Sequence, residues 1–126
     1  MVIAPVNIQI RELNLHVAHA ELEWKNNMPY TIDEIREKAV PIAKRYDVDS
    51  LCLFGSYARG EADEHSDIDF YVDKTSMWTI FERSGMILDL EDVFGCHVDV
   101  IVLSGIKNME FYREITSDGI KLYEKK

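Results

Sequence analysis

The sequence predicts an α+β fold, close to a small α/β sandwich, on three observations. The length of 126 residues suits one domain with a single core. Three segments have the apolar or alternating pattern of β-strands. Segments with helical signals separate these strands, which gives the order strand, short helix, strand, long helix, strand. A small sheet packed against helices accommodates this order.

Residues 1–28 are interpreted as a helical N-terminal extension that precedes a domain at residues 29–126. Between Asn7 and Asn27 the apolar residues recur at spacings of three and four, as in an amphipathic helix. His16 and His19 lie three residues apart on this helix, a spacing that can seat a metal. Because no further ligand is evident, we interpret them as solvent or interface histidines.

A helix is predicted from Thr31 to about Asp47. Thr31 and Glu34 match the capping box, in which each side chain accepts a hydrogen bond from the other residue's backbone N–H. One face of the helix is then marked by apolar residues: Ile35, Ala39, Ile42, Ala43 and Tyr46. Pro41 conflicts with this pattern because it removes one helical hydrogen bond, so we expect it to kink the helix or split it in two.

Three segments are predicted to be strands. Residues 48–54, VDSLCLF, are a short apolar run that ends at a glycine, as in a buried strand. Residues 67–72, DIDFYV, alternate polar and apolar side chains, as in a half-buried strand. Residues 97–103, HVDVIVL, form the third. The stretch between the first two strands is predicted to be a turn with one short helix.

The remaining elements are two helices and the tail. A helix is predicted over much of residues 76–93 and is closed by Gly95. Its apolar candidates are Trp78, Phe81, Leu88 and Val93. A short helix is expected around residues 108–116, with Gly119 as its break, and the tail adds a turn or a short edge strand. Cys52 and Cys96 lie in apolar surroundings and are interpreted as small core residues of a reducing compartment.

The composition restricts the partners of the protein. Lys and Arg number 14 against 23 Asp and Glu, so the net charge is −9. Phosphate repels such a chain over long distances, so general binding to DNA or RNA is not expected, and cations, metal-complexed anions or a basic protein are better partners. No apolar run approaches the ~18 residues of a membrane span. The N-terminus lacks the basic start of a signal peptide, and we expect a soluble cytoplasmic protein without a membrane partner.

The residues that indicate chemistry are Asp67, Asp69 and Asp99. Alternate residues of a strand face the same side, so Asp67 and Asp69 share one face while Ile68 and Phe70 face the core. Asp99 points away from its valine neighbours and joins the pair if the two strands are adjacent. Two such carboxylates at 4 Å repel by about 4 kcal/mol at an effective dielectric near 20, so the cluster requires either a bound cation or the uptake of protons.

Hard oxygen ligands of this kind select Mg²⁺, or Mn²⁺, over zinc. Mg²⁺ commonly combines one or two carboxylates with substrate phosphates, which is what phosphoryl and nucleotidyl transfer require. Gly55 and Ser56 fit the other half of such a reaction, because glycine lets backbone N–H groups approach a phosphate and serine adds a hydroxyl donor. Arg59 is a candidate for a phosphate contact, or it pairs with nearby Glu61 or Asp63; the sequence leaves both open.

The stretch LFGSYARGEADEHSDIDFYVD, followed by HVDVIV, resembles minimal nucleotidyltransferase domains of the DNA polymerase beta-like superfamily. The resemblance covers about residues 30–124 and implies the nucleotidyltransferase fold, a small mixed β-sheet flanked by helices. It implies that Asp67 and Asp69 bind Mg²⁺ together with a nucleoside triphosphate held by Gly55 and Ser56. Asp99 is then the third carboxylate, either a metal ligand or the base for the attacking hydroxyl.

Stand-alone domains of this size commonly pair with a HEPN protein, an all-helical ribonuclease, in prokaryotic toxin–antitoxin modules. The resemblance therefore implies an enzyme that transfers AMP from ATP to a tyrosine of a HEPN toxin encoded next to it. The alternative is an antitoxin that binds and occludes its toxin without catalysis, in which case apolar residues of the extension such as Trp24 matter more than the aspartates. Transfer to a small molecule is a third reading, and the chain is short for it.

Overall fold

The computed structural model describes residues 29–74 and 78–126. The predicted helix within residues 1–28, with His16, His19 and Trp24, lies outside the described residues. The elements run in this order: α1 (Ile32–Arg45), β1 (Ser50–Phe54), α2 (Ser56–Arg59), β2 (Ile68–Asp73), α3 (Ile80–Phe94), β3 (Val98–Val102), a 3₁₀ turn (Leu103–Gly105), α4 (Met109–Ser117) and β4 (Ile120–Glu124).

The described strands form one mixed sheet in the order β3-β2-β1-β4. The central strand β1 pairs antiparallel with both β2 and β4. Strands β2 and β3 pair in parallel, and α3 is the crossover helix between them. The sequence prediction of an α+β fold with a small mixed sheet is therefore confirmed, and the tail, left open between turn and strand, is the edge strand β4.

The core lies on the face of the sheet that α1 and α3 cover. Its fully buried members alternate along the strands: Leu51, Leu53, Ile68, Phe70, Val72, Val98 and Val100. Helix α1 adds Ile35 and Ala39, and helix α3 adds Met86 and Leu90. These side chains form one contiguous apolar cluster. The alternation expected for the second strand, with Ile68 and Phe70 facing the core, is confirmed.

Helix α1 begins as predicted but is not split. Thr31 Oγ1 accepts a hydrogen bond from Glu34 N at 3.1 Å, and Glu34 Oε1 accepts one from Thr31 N at 2.9 Å. The expectation that Pro41 splits the helix is wrong, because one helix runs from Ile32 to Arg45. Pro41 and Glu37 are both exposed, so water can hydrate the carbonyl group that the missing N–H leaves unpaired.

Helix α3 buries a face that the sequence did not indicate. The predicted apolar candidates Phe81 and Leu88 are 83% and 64% exposed, and Val93 is also exposed. The buried residues are Met86, Leu90 and Phe94, which lie four residues apart on one stripe. The prediction failed because both faces of the helix carry large apolar side chains, so their presence alone does not identify the inner face.

Both cysteines are at least partly buried. Cys52 is buried and Cys96 is half-buried, and both are free thiols. Burial is the main cause that raises the pKa of each thiol. Within the described part of the chain, no helix has the length and apolar character that a membrane crossing needs.

Candidate active site

The sheet brings Asp69 and Asp99 side by side. In the parallel pairing of β2 with β3 the two residues are direct partners across the strands. In the antiparallel pairing of β1 with β2, Phe54 is the partner of Asp69. The end of β1 and the starts of β2 and β3 therefore meet at the same end of the sheet. Below, this end is called the edge that carries the aspartates, and it is distinct from the lateral edge strand β3. The condition stated for Asp99, that its strand lies beside the DIDFYV strand, is met.

Asp69 lies at the electrostatic centre of this edge. Its carboxyl is half-buried, and this desolvation is the main cause that raises the pKa of Asp69. The negative charges of Asp99 and Asp67 raise the pKa further, whereas His97 and Arg59 act in the opposite direction. The structure thus brings Asp67 and Asp99 each within electrostatic reach of Asp69, with Asp67 exposed just before β2.

The aspartates form a charged edge rather than a closed metal cage. Within residues 29–74 and 78–126, no three His, Cys, Asp or Glu side chains are arranged so that they could hold a metal ion by themselves. Mg²⁺ takes oxygen ligands and usually keeps several waters, binding through one or two carboxylates plus substrate phosphates. The donor chemistry of Asp67, Asp69 and Asp99 fits such a shared site, in which a nucleotide supplies the remaining ligands.

Gly55 lies directly against the carboxylate of Asp69. Its backbone has φ +79° and ψ −155°, a conformation that is essentially restricted to glycine. A Cβ atom at this position would lie 2.6 Å from Asp69 Oδ2, closer than a side chain can approach. Glycine is therefore required twice, once by the backbone and once by the carboxylate. The turn that follows β1 is fixed against the aspartates by this contact.

Ser56 begins the single-turn helix α2. Gly55 is its N-cap and provides no side-chain cap, so no side chain of the cap occupies the first N–H groups of the turn. Those N–H groups can donate hydrogen bonds to an anion beside Asp69. Because α2 has only four residues, its dipole is small, and the donors rather than the helix behind them are what this turn offers.

Arg59 is held by two carboxylates. Its Nε donates to Glu61 Oε1 at 2.9 Å, which is one of the two alternatives that the sequence left open. Its Nη1 donates to Asp118 Oδ2 at 3.2 Å, a contact that the sequence did not indicate. Both pairs are partly exposed, and such pairs are worth about 0–1 kcal/mol, so they do not prevent Arg59 from turning to a phosphate. Its phosphate contact stays a prediction.

The loop between Ser56 and Asp67 is ordered by its own hydrogen bonds. Asp63 Oδ1 accepts from His65 N at 2.9 Å, and Ser66 Oγ accepts from Asp63 N at 2.9 Å. The bond from the His65 backbone is the main cause that lowers the pKa of the Asp63 carboxyl, and a bond from Ser66 Oγ to Asp63 Oδ1 at 3.2 Å lowers it further. Asp63 therefore stabilises the turn that returns the chain to β2, and it does not pair with Arg59.

Two residues at this edge escaped the sequence analysis. Arg83 of α3 donates from Nε to Val100 O at 2.8 Å, and its Nη2 lies 3.5 Å from Asp99 Oδ1. His97 precedes β3, and its Nδ1 lies 3.0 Å from Glu91 Oε2. Strand alternation could have placed His97 on the side of Asp99. No sequence signal could have found Arg83, because its contact depends on how α3 packs along β3.

A cavity of about 320 Å³ lies beside the aspartates, next to the end of α3. Tyr30, Tyr57 and Cys96 contribute to its wall, together with residues of the loop before β2 and of the end of α3. None of the three aspartates lines it. Asp67 is exposed and the side chain of Asp99 is 49% exposed, so a large substrate can approach these two carboxylates.

Comparison with a known family identifies the class of protein. The sequence profile of the polymerase beta nucleotidyltransferase family matches residues 37–126. The chain belongs to this family, which confirms the resemblance stated for the stretch around Gly55, Ser56, Asp67 and Asp69.

Curated relatives narrow the class further. The chain is 41% identical over 92 residues to a Methanocaldococcus jannaschii protein, MJ1379, named as a candidate protein adenylyltransferase; the match covers 71% of this chain and 92% of the relative. It is 34% identical over 67 residues to protein adenylyltransferase MntA of Thermococcus cleftensis, with 53% of this chain and 68% of the relative covered. The chain is therefore an enzyme of the nucleotidyltransferase class.

Solved structures share the fold. A toxin–antitoxin complex with AMP-PNP contains a chain that aligns with a TM-score of 0.64 at 21% identity, covering 71% of this chain and 73% of that one. A tri-AMPylated Shewanella oneidensis HEPN toxin in complex with an MNT antitoxin gives 0.58 at 18% identity, with 72% and 71% covered. A candidate minimal nucleotidyltransferase gives 0.60 at 25% identity, with 86% and 96% covered.

Proposed function

We propose that the protein is an Mg²⁺-dependent protein adenylyltransferase that transfers AMP from ATP to a tyrosine hydroxyl of a HEPN-type toxin encoded next to it. The transfer neutralises the toxin, so the protein acts as its antitoxin. The observation that carries this proposal is the pairing of Asp69 with Asp99 across β2 and β3, directly against the Gly55 turn. The name of one relative, a protein adenylyltransferase, and the solved complex of a tri-AMPylated HEPN toxin with an MNT antitoxin support AMP transfer to a HEPN partner.

In this proposal residues 29–126 are the catalytic domain and residues 1–28 are an extension. ATP is the nucleotide substrate, and the reaction takes place in the cytoplasm, where ATP and an RNA-cutting partner are present. The open surface around the aspartates supports a protein acceptor, because a tyrosine carried on another folded protein needs an accessible site.

The substrate is held by two groups of residues. The N–H groups that follow Gly55, with the Ser56 hydroxyl, donate to oxygens of the triphosphate, and Arg59 is a further phosphate contact. Asp67 and Asp69 hold Mg²⁺, for which Mn²⁺ can substitute, and Asp99 is the third candidate ligand. When bound, the metal ion neutralises the charge of the triphosphate.

Asp99 readies the acceptor for attack. Its carboxylate accepts the proton of the tyrosine hydroxyl as the tyrosine oxygen forms a bond to the α-phosphorus. The bond from that phosphorus to pyrophosphate breaks on the opposite side, in line with the new bond. Asp69 and the Gly55 turn hold the nucleotide close enough to Asp99 for this geometry, because the register makes Asp69 and Asp99 neighbours.

The test is transfer of label from α-labelled ATP to the neighbouring toxin in the presence of Mg²⁺. Wild type should label the toxin, and Asp67→Asn combined with Asp69→Asn should reduce the rate by at least about 10³-fold. Asp73→Asn is the matched control, since it removes an exposed carboxylate from the far end of the same strand and should leave the rate unchanged. Equal labelling by the double variant would contradict the proposed mechanism.

An exposed apolar surface on α3 is what the alternative, an antitoxin that acts by binding alone, would need. Ile80, Phe81 and Leu88 expose large apolar side chains on α3, at 71%, 83% and 64%. Such a surface suits a protein partner whether or not AMP is transferred. If cells that carry the toxin survive with the Asp67 and Asp69 double variant, occlusion explains neutralisation. Loss of survival with toxin binding intact rejects occlusion.

A further inference from the structure

We infer that Arg83 is a positioning residue of the transfer reaction. It anchors the carboxylate of Asp99 on β3, the lateral edge strand of the described sheet. The inference rests on the proposed function, because it assigns Arg83 a task in the same reaction. Arg83 lies in the first turns of α3, sixteen residues before Asp99 in the sequence.

The anchor begins at the backbone of β3. Strand β3 is the edge of the described sheet, so the backbone groups on its outer side have no neighbouring strand. Side chains of α3 take their place: Glu91 Oε2 accepts from Val98 N at 3.1 Å, and Arg83 Nε donates to Val100 O at 2.8 Å. The guanidinium of Arg83 is thereby fixed beside the edge.

The other end of the guanidinium reaches the carboxylate. Arg83 Nη2 lies 3.5 Å from Asp99 Oδ1, and the same oxygen accepts a hydrogen bond from Val100 N at 3.0 Å. Both contacts fall on Oδ1, which leaves Oδ2 as the oxygen that takes part in the reaction. The planar guanidinium donates to Val100 O and at the same time holds Nη2 at ion-pair distance from Asp99, whereas a lysine ammonium cannot hold both acceptors in this geometry.

Charge strengthens the case for a functional role. Asp99 lies next to Asp69 across the two strands, and Asp67 is close by, so the carboxylates repel one another. The positive charge of Arg83 offsets this repulsion on the outer side of Asp99. It thereby keeps the carboxylate at the edge of the sheet, where the attacking hydroxyl has to approach.

A purely structural role for Arg83 would be to cover the edge of β3. Glu91 provides the comparison, because it also covers that edge from α3 but contacts His97 rather than Asp99. If both residues only protect the edge, removal of either should change the stability alone. If Arg83 positions Asp99, its removal should slow the transfer step in addition.

The experiment measures kcat and KM for ATP, with the toxin as acceptor, for Arg83→Gln, Arg83→Lys and Glu91→Ala. Binding of α,β-methylene-ATP with Mn²⁺ is measured by calorimetry, since this analogue cannot transfer AMP. Arg83→Gln should lower kcat at least about tenfold, with KM and the analogue's Kd within about threefold of wild type. Arg83→Lys should recover part of kcat, and Glu91→Ala, which also removes the partner of His97, should lower kcat by a smaller factor than Arg83→Gln.

Each other outcome overturns the inference. An unchanged kcat in Arg83→Gln, with Asp99→Asn inactive, removes Arg83 from the reaction and leaves the proposed function intact. A raised KM and Kd with unchanged kcat would make Arg83 a nucleotide contact instead. Absence of transfer by the wild type would overturn the proposed function and this inference together. If Arg83→Gln does not fold, Arg83→Lys decides, and wild-type kcat in that variant rejects positioning.

Discussion

Gly55 shows how a single residue ties the backbone to the chemistry. Its conformation is accessible only to glycine, and the Asp69 carboxylate lies where a side chain would begin. Gly55 was predicted from the sequence for a different reason, because glycine lets backbone N–H groups approach a phosphate. Both reasons apply, because the turn that offers N–H groups to an anion has to lie against the aspartates.

Gly55→Ala should therefore damage both stability and activity. The strained backbone costs about 1–3 kcal/mol, and the contact with Asp69 Oδ2 adds to it, so we expect the free energy of unfolding to fall by about 3 kcal/mol. Urea denaturation measures this change. Gly105→Ala is the control, because no atom lies within 4 Å of its added Cβ and its effect should stay within about 0.5 kcal/mol. Equal effects of the two substitutions would refute the argument.

The ion pair of Asp47 with Lys125 should make the stability of the fold depend on pH. It follows the end of α1 with φ +57°, and its Oδ1 accepts from Lys125 Nζ at 2.8 Å. The hydrogen bond and the charge of Lys125 lower the pKa of the Asp47 carboxyl below its ordinary value of 3.8. The folded state therefore favours the ionised form, and this contribution is present above pH 3.8 and is lost as pH falls through the lowered pKa.

Asp47→Asn tests this linkage, because asparagine tolerates the left-handed backbone and removes only the charge. The stability difference between wild type and variant should shrink as pH is lowered from 6 to about 2, as followed by thermal melts. A difference that stays constant over this range would show that Lys125 does not act through the Asp47 charge.

At the level of elements, local signals predicted some helices well and others poorly. Helix α1 was predicted closely because its start is a capping box and its apolar residues fall on one stripe. The start of α3 at Ile80 depends on a second capping box, Thr79 with Glu82, which the sequence analysis overlooked. The inner face of α3 is decided by packing against β3 and α1, and no local pattern states that choice.

A proline inside helix α1 lowers the free energy of unfolding. Pro41 lies in its interior, where proline is about 3 kcal/mol less favourable than alanine. Part of that cost is recovered because proline restricts the unfolded chain. Pro41→Ala should therefore raise the free energy of unfolding by about 2 kcal/mol, as measured by urea denaturation, with Glu37→Ala as the exposed control. A destabilised Pro41→Ala would show that the helix requires the proline.

The candidate site was predictable to the extent that it depends on strand alternation and on the family resemblance. Alternation puts Asp69 on the outer face, and the resemblance supplied the adjacency of Asp99. The pairs of Arg59 with Asp118 and of Arg83 with Asp99 were not predictable, because each joins segments that only tertiary packing brings together. The sequence therefore indicated Arg59 itself, but not its partner Asp118 or the contact of Arg83 with Asp99.

At the level of the whole molecule, a shared metal–nucleotide site couples ligand binding to stability. A ligand present at 100 times its Kd stabilises the native state by about 2.7 kcal/mol, which corresponds to roughly 10 °C in Tm for a domain of this size. Mn²⁺ with α,β-methylene-ATP should produce such a shift in wild type, and EDTA should reverse it. Asp69→Asn should lose most of the shift, whereas the same shift in Asp73→Asn and Asp69→Asn would contradict a role for Asp69 in binding.

Because β3 lies at the lateral edge of the described sheet, we expect it to separate from β2 before the rest of the molecule unfolds. In the sheet formed by the described residues, β3 has one neighbouring strand, β2, whereas β2 is also paired with β1 on its other side. Partial opening at that border separates Asp99 from Asp69, and relief of their mutual repulsion favours the opening. Warming or mild denaturant should therefore abolish turnover while most of the far-ultraviolet circular dichroism persists, so that the enzyme inactivates before it melts.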